Sequence, residues 1–234
     1  MKEKTEEIDT NYIQRSNWLR AAVLGANDGI LSTVSIAIGV AAATDVREPV
    51  ILATLAGLVA GALSMAAGEY VSVSSQKDTE NADIERNKKE LTDMPEIELQ
   101  RLVGIYEKRG LNKETALKVA KELTEHDALG THIRDVLGIN EISQAKPIQA
   151  AFASLAAFTA GGLLPFLVTL FIPLKSMEYS LYVFALFFLI ILGALAAKTG
   201  GSSIGKAIIR ITFWGTLAMG LTATVGYLFN ANIG

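Results

Sequence analysis

Apolar residues in this chain run in long blocks parted by short polar turns. Five blocks stand out: Trp18–Ala43, Pro49–Ser75, Ile148–Leu174, Tyr179–Ala197 and Ile204–Phe229. A bilayer core about 30 Å thick needs about 20 mostly apolar helical residues, and each block meets or nearly meets that length. Lipid offers backbone groups no water partner, so such blocks are helices rather than open strands. Turns at 44–48, 175–178 and 198–203 make three of the four junctions between these blocks. The remaining junction, 76–146, is long, charged and helical in period. Gln76–Leu91 lacks Gly and Pro and continues the second block as helix. Asp93-Met94-Pro95 is a stop and a restart, with Pro95 suited to a first helical turn. Leu99, Leu102, Val103 and Tyr106 then share one helical face. Gly110 ends that helix and Asn112 caps the next, whose apolar stripe is Ala116, Val119, Ala120 and Leu123. A last short helix runs to Leu137 and stops at Gly138.

The pattern predicts an all-α integral membrane protein of five transmembrane helices, with a three- to four-helix insert between the second and third. In order, it gives a polar tail (1–16), two spans (17–75), the insert (76–146) and three spans (147–234). Sidedness follows from basic residues near helix ends. Arg15, Arg20, Lys77, Lys146, Lys198, Lys206 and Arg210 fall on one side, against Arg47 and Lys175 on the other. The positive-inside rule then places the N-terminus and the insert in the cytosol and the C-terminus opposite. Either a plasma membrane or an organelle membrane fits.

Composition narrows the chemistry. The net charge of −3 over 234 residues gives no basic face for nucleic acid. With no cysteine, disulfides, thiolate metal sites and thiol catalysis are excluded. The polar, mixed-charge start lacks the pattern of a secretory signal, so the first span is expected to direct insertion. No nucleophile elbow, P-loop or HExxH occurs, and no enzymatic activity is expected.

Ionisable residues inside a span cost about 2.5–3.5 kcal/mol on insertion scales, which marks them as functional candidates. Asp28 lies in Gly25-Ala26-Asn27-Asp28-Gly29, with Ser32 and Ser35 extending a polar stripe. Asn-Asp-Gly is also turn chemistry, but a helix starting only at Ile30 is too short to span. Glu69 lies in the second span, with Met65 one turn before it on the same face. A carboxylate with a thioether suits a divalent transition metal and disfavours Mg²⁺ or Ca²⁺. The plain alternatives are packing for Met65 and snorkelling at the interface for Glu69. Gly57-x-x-x-Gly61, continued by Ser64 and Gly68, and Gly25 with Gly29 form small-residue faces that fit a dimer or a tight bundle. In the insert, Glu80, Asp83, Asn87 and Glu90 line one face. Glu96, Glu98 and Glu107 follow on the next helix, then His126, Asp127, His132 and Asp135. Such residues form either a solvated face or a metal site. The two histidines, six apart, are not a helical ligand pair and would have to meet across a turn.

Two stretches in register, Gly25-Ala26-Asn27-Asp28-Gly29-Ile30-Leu31-Ser32 and Ser64-Met65-Ala66-Ala67-Gly68-Glu69-Tyr70-Val71-Ser72, resemble the vacuolar iron transporter family from Asn17 onward. The resemblance implies a homodimer that moves Fe²⁺ or Mn²⁺ out of the cytosol in exchange for protons, along a route between the subunits. Zn²⁺ and Co²⁺ are also compatible with the ligands, and no permanently bound cofactor is implied. Asp28, Met65 and Glu69 match the family's intramembrane metal and proton residues. Glu90 and Glu98 match glutamates of its cytosolic metal-binding insert. The chain departs from the family there: Asn87 and Arg101 stand near positions expected to be acidic, and Thr131-His132-Ile133 stands near an expected methionine pair. The insert then binds metal more weakly, uses His126 and His132, or serves mainly in dimerisation. The rival reading of the whole chain is a membrane-embedded scaffold or metal sensor without transport.

Overall fold

A computed structural model describes residues 2–139, 145–199 and 201–233, with side chains described for 22–139, 145–198 and 201–230. Every regular element among them is helical: α1 (Lys2–Ala41), α2 (Arg47–Asp93), α3 (Pro95–Lys108), α4 (Lys113–Asp135), α5 (Pro147–Phe171), α6 (Leu174–Thr199) and α7 (Ile204–Ile233). Five are long and apolar enough to cross a membrane: α1 over Ala22–Ala41, then α2, α5, α6 and α7. The chain divides into two compact units, one of Met1–Tyr70 with Ile148–Gly234 and one of Val71–Pro147.

In the first unit, α1 supplies the centre of the core. Ile30, Val34, Ala37 and Ile38 are buried with Met177, Leu181, Ala185 and Leu189 of α6 and Met219 of α7. The α6 residues recur every four positions, the spacing that keeps them on one helical face. A second cluster joins Leu58 and Ala62 of α2 to Phe158 of α5. Large apolar side chains cover the outside, among them Leu52, Phe152, Phe187, Phe213, Trp214 and Leu221. An exterior this apolar suits hydrocarbon rather than water.

Glycines set the closest helix contacts. A Cβ on Gly29 would lie 2.1 Å from the Phe158 carbonyl oxygen, and one on Gly161 2.2 Å from that of Ala26. The α1 and α5 backbones therefore touch directly. Gly57 faces Ile36 and Gly61 faces the Phe158 ring, so this part of the α2 small-residue face packs within the chain, while a Cβ on Gly68 would meet nothing within 4 Å. Gly161 and Gly162, with Pro165, lie inside an uninterrupted α5 and are buried.

The junctions correct the expected turns. The segment 175–178, read as a loop, is the first turn of α6, with the Ser176 amide donating to the Pro173 carbonyl at 3.0 Å. Pro173, not the charged residues after it, makes the break. The α1–α2 turn is clamped by Arg47. Its Nε donates to the Thr169 carbonyl at 3.0 Å and its Nη2 to the same oxygen at 2.9 Å and to that of Leu170. These are among the last carbonyls of α5, which have no partner within their own helix. A cation there also opposes the negative end of the helix dipole. Arg47→Ala is expected to remove about 1.5–3 kcal/mol from this unit. Thermal unfolding in detergent at one scan rate reads it: the midpoint falls, and an unchanged midpoint would mean the clamp is idle.

In the second unit the helix breaks fall where the sequence puts them. Met94 interrupts the chain with φ −139°, and Pro95 opens α3. Gly110 and Gly138 follow α3 and α4 with φ of +100° and +71°, values that L side chains rarely adopt. The Thr115 amide donates to Asn112 Oδ1 at 2.9 Å, capping α4. Leu102, Val103 and Tyr106 pack against Ala116 and Ala120, with Leu99, Val119 and Leu123 at the margin. Asp127 kinks α4, with φ −159°, and its carboxylate restarts the helix by accepting from the Gly130 amide at 2.9 Å.

Candidate functional site

Asp28, Met65 and Glu69 all belong to the first unit. Asp28 is exposed on the surface of α1, turned away from the core that Ile30 and Val34 fill. Ser32 Oγ donates to the Asp28 backbone carbonyl at 2.6 Å, so that hydroxyl does not occupy the carboxylate. Ser35, the other member of the stripe, is buried. Helix geometry sets the depths. At 1.5 Å per residue, Asp28 lies about 20 Å along α1 from Ala41. Met65 and Glu69 lie about 27 and 33 Å along α2 from Arg47. Since α1 and α2 leave the same turn, all three residues lie toward the end of the span far from Arg47. Asp28 is the deepest and Glu69 is near a boundary. Met65 is half-buried and packs against the Leu58–Ala62–Phe158 cluster. Glu69 is half-buried. Among the described residues, neither Asp28 nor Glu69 has an ion-pair partner. A carboxylate left unpaired on a membrane-crossing surface needs a counter-charge, a proton or a second protein surface.

In the second unit the residues singled out from sequence separate into distinct groups. His126 is exposed, as are Glu96 and Glu107. His132 is fully buried, and its Nδ1 lies 3.4 Å from Glu98 Oε2 without hydrogen-bond geometry. Burial pushes the His132 imidazole below its ordinary pKa, against the opposing pull of Glu98. The ring is therefore mostly neutral near pH 7. Glu98 and Asn87 are also buried. Glu90 joins this group through Arg101, which pairs with both Glu90 and Glu98. Among the described residues, no three His, Asp or Glu side chains are arranged to hold a metal ion.

Asp135 belongs elsewhere. It accepts from the Tyr106 hydroxyl at 2.9 Å and from Arg109 at 2.8 Å, with Arg134 at 3.2 Å. This ties the ends of α3 and α4 together. Burial alone raises the Asp135 pKa, but the hydrogen bonds from Arg109, Tyr106 and Arg134 outweigh it and hold the carboxyl below its ordinary range. A depressed folded pKa contributes stability above the unfolded value of about 3.9, and that stability is lost as pH falls through the folded value. Asp135→Asn is expected to weaken the unit by about 1–3 kcal/mol at neutral pH and to flatten its acid dependence below about pH 4. Hydrogen exchange across α3 and α4 reads both effects; equal protection in the two proteins would contradict the assignment.

Sequence reasoning missed three side chains. Arg47 sat in a turn, and its carbonyl partners are 122 and 123 residues away. Asn87 sat on a face read as carboxylate and solvated, though it is buried. Arg101 was read as a missing acid, while its spacing of three from Glu98 already signalled a helical ion pair.

The profile of the VIT family matches residues 19–227. A vacuolar iron transporter of Acanthamoeba castellanii is 44% identical over 214 residues, covering 91% of this chain and 79% of its own. Vacuolar iron transporter homolog 2 of Arabidopsis thaliana is 36% identical over 226 residues, covering 94% and 91%. Vacuolar iron transporter homolog 1 of Oryza sativa subsp. japonica is 36% identical over 220 residues, covering 94% and 77%.

Proposed function

The chain belongs to the VIT family, and from that membership we propose that it transports Fe²⁺ or Mn²⁺ out of the cytosol in exchange for protons. The working unit is a homodimer in an organelle or plasma membrane, with its N-terminus and insert cytosolic. The observation that carries this reading is the pair of carboxylates, Asp28 and Glu69, which have no ion-pair partner among the described residues and lie on helices long and apolar enough to cross a membrane. A scaffold has no use for charges this costly. An exposed Asp28 deep in the span is relieved if a second copy of the same surface faces it, because a two-fold contact repeats each residue. Two Asp28 and two Glu69 side chains then supply the negative charge that a desolvated divalent cation requires. The Met65 thioether adds a soft ligand that favours transition metals over Mg²⁺. Metal enters at Glu69, near the cytosolic boundary, and passes inward to Asp28. Protonation from the far side cancels the charge and releases the ion. Transport, not catalysis, is the activity that membership of this family supports.

Purified protein in vesicles tests this, with Fe²⁺, Mn²⁺ and Mg²⁺ offered in turn under an imposed pH gradient. Uptake of Fe²⁺ or Mn²⁺ over Mg²⁺ is expected. Folded protein that moves none of them would turn the reading to a scaffold or a sensor.

A further inference from the structure

Within the second unit, one buried carboxylate must be neutralised by something. Glu98 is 5% exposed at its side chain, and an uncompensated charge at such a site is strongly destabilising. The groups around it can be enumerated. From α2 come Asn87, which is neutral, and Glu90, which repeats the negative charge. From α4 comes His132, whose imidazole burial keeps neutral. Asp135 is engaged by Tyr106, Arg109 and Arg134. From α3 itself comes Arg101. Its Nη1 lies 3.5 Å from Glu98 Oε2 and 3.7 Å from Glu90 Oε2, so a single nitrogen stands between the two carboxylates.

We propose that Arg101 is the built-in counter-cation of this unit, bringing to Glu90 and Glu98 the positive charge a divalent ion would otherwise supply, so that the unit closes without metal.

The dimensions favour a guanidinium over an ion. A first-row divalent cation draws carboxylate oxygens to about 2.0–2.2 Å. Here each oxygen stands more than 1 Å further from the central atom, within ion-pair range of a charged nitrogen. Arginine is permanently charged, and one of its nitrogens serves both carboxylates here. Its side chain is half exposed, so it reaches the pair from the rim while Glu98 stays buried. A metal ion binding to Glu90 and Glu98 must first displace it. The closure of this unit therefore does not report cytosolic metal, and any metal dependence of the full protein resides in the membrane-crossing helices. This inference concerns binding and does not rest on transport.

Full-length protein in detergent tests it by two readouts: Mn²⁺ bound per chain, followed by electron paramagnetic resonance, and hydrogen exchange of residues 95–135 in EDTA. Wild type and the E90Q/E98Q double variant are expected to bind the same number of Mn²⁺ ions. R101Q is expected to gain one Mn²⁺ per chain, lost again in R101Q/E98Q. In EDTA, R101Q exchanges about tenfold faster than wild type across α3 and α4, and Mn²⁺ reverses this. R101K, which keeps the charge, stays protected in EDTA. The proposal is overturned if wild type loses a bound Mn²⁺ on E98Q. It is equally overturned if R101Q gains no Mn²⁺ and stays as protected as wild type.

Discussion

Replacing Asp28 with alanine is expected to abolish metal flux while leaving the protein folded. Asp28 makes no side-chain hydrogen bond or ion pair among the described residues, and its side chain points away from the core, so its loss removes no packing. On insertion scales the change is favourable by about 2.5–3.5 kcal/mol, because a charge leaves the span. A stabilised but inactive protein is the signature of a functional charge. Asp28→Asn separates charge from size: it keeps the shape and a polar head but cannot hold net charge, and it is expected to be as inactive as alanine. Glu69→Gln, nearer the boundary, is expected to lower flux and weaken its dependence on pH. Vesicle uptake with matched protein amounts reads all three variants. An Asp28→Ala protein that transports like wild type would remove this residue from the route.

Gly29→Ala is expected to disable the protein by a different path. The added methyl would sit 2.1 Å from the Phe158 carbonyl oxygen, 2.9 Å from its carbon and 3.0 Å from the Gly162 nitrogen. All three are backbone atoms, so no rotamer change relieves the contact and α1 must move off α5. Overpacking of this kind costs about 1–3 kcal/mol, and more where backbone must shift. Gly29 adjoins Asp28, so the displacement also moves the carboxylate. Both the unfolding midpoint and the flux are expected to fall. Gly220→Ala is the control, because a Cβ there meets nothing within 4 Å. Should Gly29→Ala melt and transport like Gly220→Ala, the close α1–α5 approach is not a constraint.

The sequence made the helices legible wherever a local signal sets them. Five apolar blocks, Pro95, Gly110, Asn112 and Gly138 each act within a few residues of themselves, and each does what its chemistry implies. The turn before α6 was misread because Lys175 and Glu178 look like loop residues, although charges are common where a spanning helix meets its boundary. The break belongs to Pro173. Glycine faces announced close packing but not the partner, since Gly29 meets Phe158 only through the fold. The same holds for polar residues. Arg101 reaches Glu98 along its own helix, which spacing shows, and Glu90 on another, which spacing cannot. The intramembrane candidates were legible for a simpler reason: Asp28 and Glu69 interrupt apolar text where charge is costly.

The central claim is that Asp28 and Glu69 form a proton-coupled route for Fe²⁺ or Mn²⁺. The most direct test is Mn²⁺ uptake into vesicles with and without an imposed pH gradient, for wild type, Asp28→Ala and Glu69→Ala side by side. The account predicts uptake that the gradient drives in wild type and that both substitutions abolish. Uptake that ignores the gradient, or that survives both substitutions, would contradict it.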